Sequence, residues 1–154
     1  MFRGSCFSAV LGALALLFTT LSAPPARADA GQYVRTQSGI VQCVLYADYP
    51  GTDPRYNSEM NIPAGSVVMC EARRAGGFGP GKQFAVVGAA GNFSFQCCAS
   101  GLGGATPIDF LTMAYGQTYN LMGWTVSANS DGTRFTNNAT GHGMFVSIEN
   151  IYGF

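Results

Sequence analysis

The chain has 154 residues, of which eight are basic, eight acidic and 21 glycine, with charged residues making up only 10%. That length suits one domain. Charge this sparse and balanced excludes a nucleic-acid surface, which needs clustered Lys and Arg to displace counterions; the one adjacent basic pair is Arg73-Arg74.

The first segment reads as a cleavable signal peptide over residues 1–28. Arg3 supplies the basic start, Phe7 to Phe18 carries no charge, and Pro24 and Pro25 lead into two A-x-A sites, Ala26-Arg27-Ala28 and Ala28-Asp29-Ala30. Cleavage is expected after Ala28 or Ala30, because the peptidase accepts only small residues there. The apolar run falls short of the roughly 20 residues that cross ~30 Å of hydrocarbon. No later run is long enough either, so the mature chain is expected to carry no membrane span. This leader implies a secreted, extracellular or cell-envelope location. It also takes away Arg3 and Arg27, which leaves the mature chain slightly acidic.

Residues 29–39 read as an N-terminal arm and 40–154 as a single β-domain. Ile40 to Ala47 and Ser66 to Ala72 are rich in Val, Ile, Leu and Tyr and read as strands. The stretch between them holds Pro50-Gly51, Asp53-Pro54 and Pro63 and reads as a long loop. Phe84 to Gly88 and Phe93 to Cys97 form a hairpin pattern. Ile108 to Met113 fits either a strand or a helical turn. Thr118 to Met122, Trp124 to Ala128, Thr133 to Thr136 and Gly143 to Ile148 alternate in strand fashion, with a turn at Ser130-Asp131-Gly132. Many short strands divided by Gly and Asx turns, with no 3.6-residue period, predict an all-β fold: a small antiparallel β-sandwich or barrel.

Four cysteines follow the leader: Cys43, Cys70, Cys97 and Cys98. In an exported chain an even number reads as disulfides. Cys43 and Cys70 each sit mid-strand, where neighbouring strands bring two Cα atoms within bridging distance, so they are expected to pair. Cys97-Cys98 stays open between plain thiols at a strand end, a vicinal bridge and a redox or metal pair. Two adjacent thiols and a distant His142 fall short of a zinc ligand set, and no metal or cofactor is expected.

His142 is the lone histidine, in Gly141-His142-Gly143. As a general base it would need a positioned nucleophile and an orienting acid. None of the serines lies in a G-x-S-x-G elbow, and the plainer reading is a turn residue. The scattered acids show no pairing for sugar hydrolysis. Trp124, the sole tryptophan, reads as a core anchor. No catalytic residue is assigned.

Tyr115-Gly116-Gln117-Thr118-Tyr119, Gly123-Trp124-Thr125, Ser130 to Asn137 and Thr140 to Ser147 resemble a family of small secreted proteins of mycobacteria and related actinobacteria. Gly91-Asn92-Phe93 and a cysteine in each of the two early strands fit the same likeness. The family is uncharacterised, so the resemblance implies export and no catalytic residues. Cys97-Cys98 departs from it, which leaves the second pairing open. These readings together predict a secreted or envelope-associated, non-catalytic β-domain that binds a cell-surface ligand or protein, using His142 or aromatic residues near Tyr46, Tyr49 and Tyr56. The alternative is a small extracytoplasmic hydrolase-like enzyme using His142.

Overall fold

Three segments carry apolar side chains at nearly every position: β2 (Val41–Tyr49), β3 (Gly65–Ala72) and β4 (Phe84–Gly88). A continuous apolar run of strand length marks a strand hidden on both faces. The computed structural model, which describes residues 31–53, 56, 60–97, 99, 101–102 and 109–154, places these three at the centre of a sheet. Adding β1 (Gln32–Thr36), β5 (Phe93–Gln96) and β6 (Leu111–Met113) gives six strands in the order β5-β4-β3-β2-β1-β6. Neighbours run antiparallel except β6, which lies parallel to β1.

The remaining strands are β7 (Gln117–Leu121), β8 (Trp124–Asn129), β9 (Gly132–Asn137), β10 (Gly143–Val146) and β11 (Ile151–Gly153). They form a second sheet in sequence order, antiparallel throughout. β8 and β9 alternate buried with more exposed residues, the pattern of strands with one wet face. The fold is all-β, and its two sheets face each other without sharing a strand, so the sandwich holds and the barrel does not.

Between the sheets lies the main core. Val34, Cys43, Leu45, Val68, Cys70, Ala85 and Val87 of the first sheet meet Trp124, Val126, Phe135, Met144 and Val146 of the second. Trp124 is the expected core anchor and is fully buried. A second core covers the opposite face of the first sheet. There Val44, Tyr46, Val67, Met69, Phe84 and Val86 sit beneath Tyr56, Met60, Ile62 and Leu102. β5 and β6 lie at opposite edges of the sheet, and Ala99 and Leu102, described residues between them in sequence, pack in this core.

Cys43 and Cys70 are direct cross-strand partners and are bonded, with their Cα atoms 4.0 Å apart. Cys97 is also disulfide-bonded and is no free thiol, while Cys98 lies outside the described residues. The leader and its cleavage sites lie outside them too. One expectation needs correction. The supposed arm 29–39 contains β1, whose Val34 is fully buried; pairing with β2 and β6, remote in sequence, turns it into a strand. The second sheet also includes β11, three residues to which the sequence pattern assigned no strand. Of the ambiguous segment Ile108 to Met113, Leu111–Met113 is strand.

Two predictions follow from the core. Replacing both Cys43 and Cys70 by Ala opens a link that spans 27 residues, and the loop-entropy model gives a loss of about 3.5 kcal/mol in urea unfolding. The Thr133 hydroxyl is buried between the sheets with no hydrogen-bond partner. Thr133→Val removes that polar group at equal size, so stability should rise by about 1 kcal/mol in the same assay.

Candidate functional site

In a run of hairpins, successive turns alternate between the two ends of the sheet. This parity puts the β1–β2, β8–β9 and β10–β11 turns at one end of the sandwich, with the β6–β7 connection beside them. A cleft of about 440 Å³ opens there between the sheets. Its apolar wall is formed by Ile40, Val41, Phe145 and Ile148, of which Ile40 and Ile148 are exposed. Its polar rim comes from Tyr115, Asn129, Ser130, Asp131 and Glu149.

The turns themselves are held by other side chains. Thr36 Oγ1 donates to Val41 O at 3.3 Å and accepts from Val41 N at 3.2 Å. Ser147 Oγ accepts from the backbone N–H of Glu149 at 3.2 Å and of Asn150 at 2.9 Å. Arg74 braces the rim from outside, donating to Ile148 O at 3.1 Å. By contrast, the five rim side chains make no hydrogen bond to the described residues. Among the described residues no Lys or Arg lines the cleft. Phe145 lies against the backbone of Gly132, where a Cβ would collide with its ring, so a glycine at this turn lets the aromatic wall stand.

The residues singled out from the sequence lie elsewhere. Tyr46, Tyr49 and Tyr56 are 1%, 2% and 6% exposed and belong to the roofed core. Tyr46 and Tyr49 contact ring to ring at 5.1 Å, and Tyr49 meets Tyr56 at 6.4 Å. They are therefore packing residues: Tyr49 ends β2, and of the stretch that read as an open loop the described Tyr56, Met60 and Ile62 are buried against the sheet. His142 is at the opposite end of the sandwich, exposed on the β9–β10 turn. Its Nδ1 is 3.3 Å from the main-chain oxygen of Phe154, and its ring rests on Gly91. Among the described residues no side-chain carboxylate or hydroxyl bonds the ring, which is the pairing a general base requires. Nor does any group of three or more His, Cys, Asp or Glu stand together there as a metal site.

One acid is unusual. Glu71 projects from β3 toward the roof, opposite Gln42, and is almost fully buried. Burial raises its pKa above the ordinary 4.5, while Arg73 and the backbone N–H of Leu102 pull it partly back. Two more side chains pin the same roof. Gln83 donates to Ala99 O at 2.6 Å and accepts from Ala99 N at 3.2 Å, and Tyr56 donates to Leu102 O at 3.3 Å. Glu71 lines neither this cleft nor the one beside Lys82 and Cys97. Its carboxylate accepts from the backbone N–H of Leu102, which clamps a residue of the roof to the sheet.

Sequence reasoning placed Ser130-Asp131-Gly132 at a turn and missed its meeting with residues 36–41 and 147–150. Hairpin parity would have shown it once β1 and β11 were counted as strands. No family model matches the chain, no curated protein matches it, and no solved structure matches it.

Because the proton on Glu71 is held more tightly in the folded state, burial costs nothing below about pH 4.5 and destabilises progressively as the pH rises above it. Glu71→Gln removes the charge and keeps an oxygen for Leu102. Wild type and variant should unfold at similar urea concentrations at pH 4, and the variant should be the more stable at pH 7. A wild type that gains on the variant as pH rises would reverse the assignment.

Proposed function

We propose that the protein is an exported, non-catalytic binding domain of the cell envelope or medium, and that its ligand sits in the cleft at the end of the sandwich. The observation that carries this reading is the set of unspent polar side chains, Tyr115, Asn129, Ser130, Asp131 and Glu149, arranged around an apolar wall. A concave site with an apolar lining and a few convergent polar groups is the usual form of a ligand pocket. Asp131 and Glu149 without a lining cation oppose an anionic ligand. Export is supported by the leader-like first segment, by the Cys43–Cys70 bond, which suits an oxidising compartment, and by the likeness to small secreted actinobacterial proteins. Among the described residues, no helix is long and apolar enough to cross a membrane.

The hydrolase reading draws no support from His142, which stands at the far end from the cleft with a main-chain oxygen beside its ring. The test is retention of envelope glycan, lipid and protein fractions on the immobilised oxidised protein, followed by titration of the retained compound. Tyr115→Ala with Asp131→Ala removes two hydrogen-bonding groups and should weaken binding about tenfold at unchanged melting temperature. Unchanged affinity in that variant, or chemical turnover of the retained compound, would overturn the reading.

A further inference from the structure

The chain has five cysteines, and Cys43 and Cys70 are bonded to each other. Cys97 is disulfide-bonded too. That leaves Cys6 and Cys98 as its candidate partners within the chain. Cys6 belongs to the leader-like segment and departs with it on export, so Cys98 remains. A bond between neighbours does a different job from Cys43–Cys70. The latter joins residues 27 positions apart, and closing that loop restrains the unfolded chain. Joining adjacent residues closes no such loop, so the same stabilisation is not to be had from it.

The surroundings differ as well. Cys43 and Cys70 are buried in the main core, out of reach of a reductant, whereas Cys97 is exposed just past the end of β5. It lines a cleft of about 410 Å³ together with Gly76, Gly77, Gly79 and Lys82, a size that admits a small molecule. Lys82 is exposed, and its Nζ lies 4.5 Å from the centroid of the Phe95 ring, two positions before Cys97. The ring holds the ammonium in place without cancelling its charge. Among the described residues no carboxylate lines this cleft. A cation beside a sulfur favours the thiolate, the form that attacks and leaves in disulfide exchange. Gln83 bonds Ala99 on both its backbone groups, so the chain is fixed on either side of the cysteine pair.

We propose that Cys97 and Cys98 form an exchangeable disulfide, and that a small anionic thiol reduces it from the cleft beside Lys82. The inference rests on export, which removes Cys6, and is independent of the ligand cleft at the end of the sandwich. The thiolate of the reductant attacks one sulfur. The S–S bond breaks, and the other sulfur leaves as a thiolate that takes a proton from water. A second reductant thiol then displaces the first from the mixed disulfide. Two electrons pass in all: the protein gains two thiols, and the reductant becomes its own disulfide. Lys82 draws the anionic reductant in and stabilises the sulfur that leaves. The exchange is stoichiometric, a reversible modification of the chain where it passes from β5 toward the roof.

The test uses the full chain, produced with its leader in an exporting cell and purified without reductant. Trypsin puts Cys97 and Cys98 on one peptide, 83–134, apart from Cys43 and Cys70. Untreated protein, alkylated in urea, should yield that peptide unlabelled and joined to no other. Brief treatment of the folded protein with mercaptoacetate, then iodoacetamide, should label both of its cysteines and leave Cys43 and Cys70 bonded. Lys82→Gln, an exposed change, should slow reduction by mercaptoacetate about threefold at low salt. Reduction by cysteamine, a cationic thiol, should be no slower in that variant. Free thiols on peptide 83–134 before treatment, Cys97 joined to another peptide, no labelling of the folded protein, or equal labelling of all four cysteines would overturn the proposal. Equal slowing of both reductants in the variant would overturn the part given to Lys82. Linkage of Cys97 to the peptide of Cys6 would also remove the export reading, while leaving the ligand cleft untouched.

Discussion

Removal of β2, β3 and β4 from water on both faces is the constraint on which the rest of the molecule depends. A strand so placed can satisfy its backbone only through the ladder on either side, and its apolar side chains need cover above and below. The second sheet gives that cover on one face. On the other it comes from two connections, 50–64 and 97–110, whose described residues Tyr56, Met60, Ile62, Ala99 and Leu102 form a thin roof. A roof of loops brings backbone polar groups close to a dry surface. Glu71, Gln83 and Tyr56 are placed to bond them, and Glu71 carries the cost as a raised pKa.

Covering one outer face with connections leaves the other open. The same economy of hairpins that stacks the second sheet in sequence order also gathers three turns and the inter-sheet connection at one end. Turns held by their own side chains, as at Thr36 and Ser147, leave the neighbouring Asn129, Ser130 and Asp131 unengaged. Rigid supports with unspent rim groups are what a binding site requires. The opposite end differs: there Thr140 bonds Ala89 O, Asn137 bonds Ser66, and the His142 ring fills the space over Gly91.

Much of this was legible from residue pattern alone. The unbroken apolar runs of β3 and β4 and the alternation of β8 and β9 reflect burial on two faces and on one, and both were visible in the chain. So was the Cys43–Cys70 pairing. What escaped depends on partners remote in sequence. Gln32 to Thr36 is an unremarkable pentapeptide until β2 and β6 flank it. Tyr49 and Tyr56 lie among Pro, Gly and Asp, the composition of an open loop, and are buried by contacts with residues remote in sequence such as Leu102. The cleft was hidden for the same reason, since its lining comes from turns at 38–40, 129–132 and 147–150 and from Tyr115, which share an end only once every strand is counted.

The position of the Cys43–Cys70 bond within the sheet has a consequence for biogenesis. Because the two residues are direct partners in the ladder, slippage of β3 by one position would turn the sulfurs to opposite faces. Slippage by two would move them apart by about 6.8 Å along the strand. Of these registers, only the native one sets Cys43 and Cys70 within bonding distance of each other. Oxidation of this pair would therefore seal chains whose central strands have zipped in register and leave the two thiols of misregistered ones unjoined for another attempt.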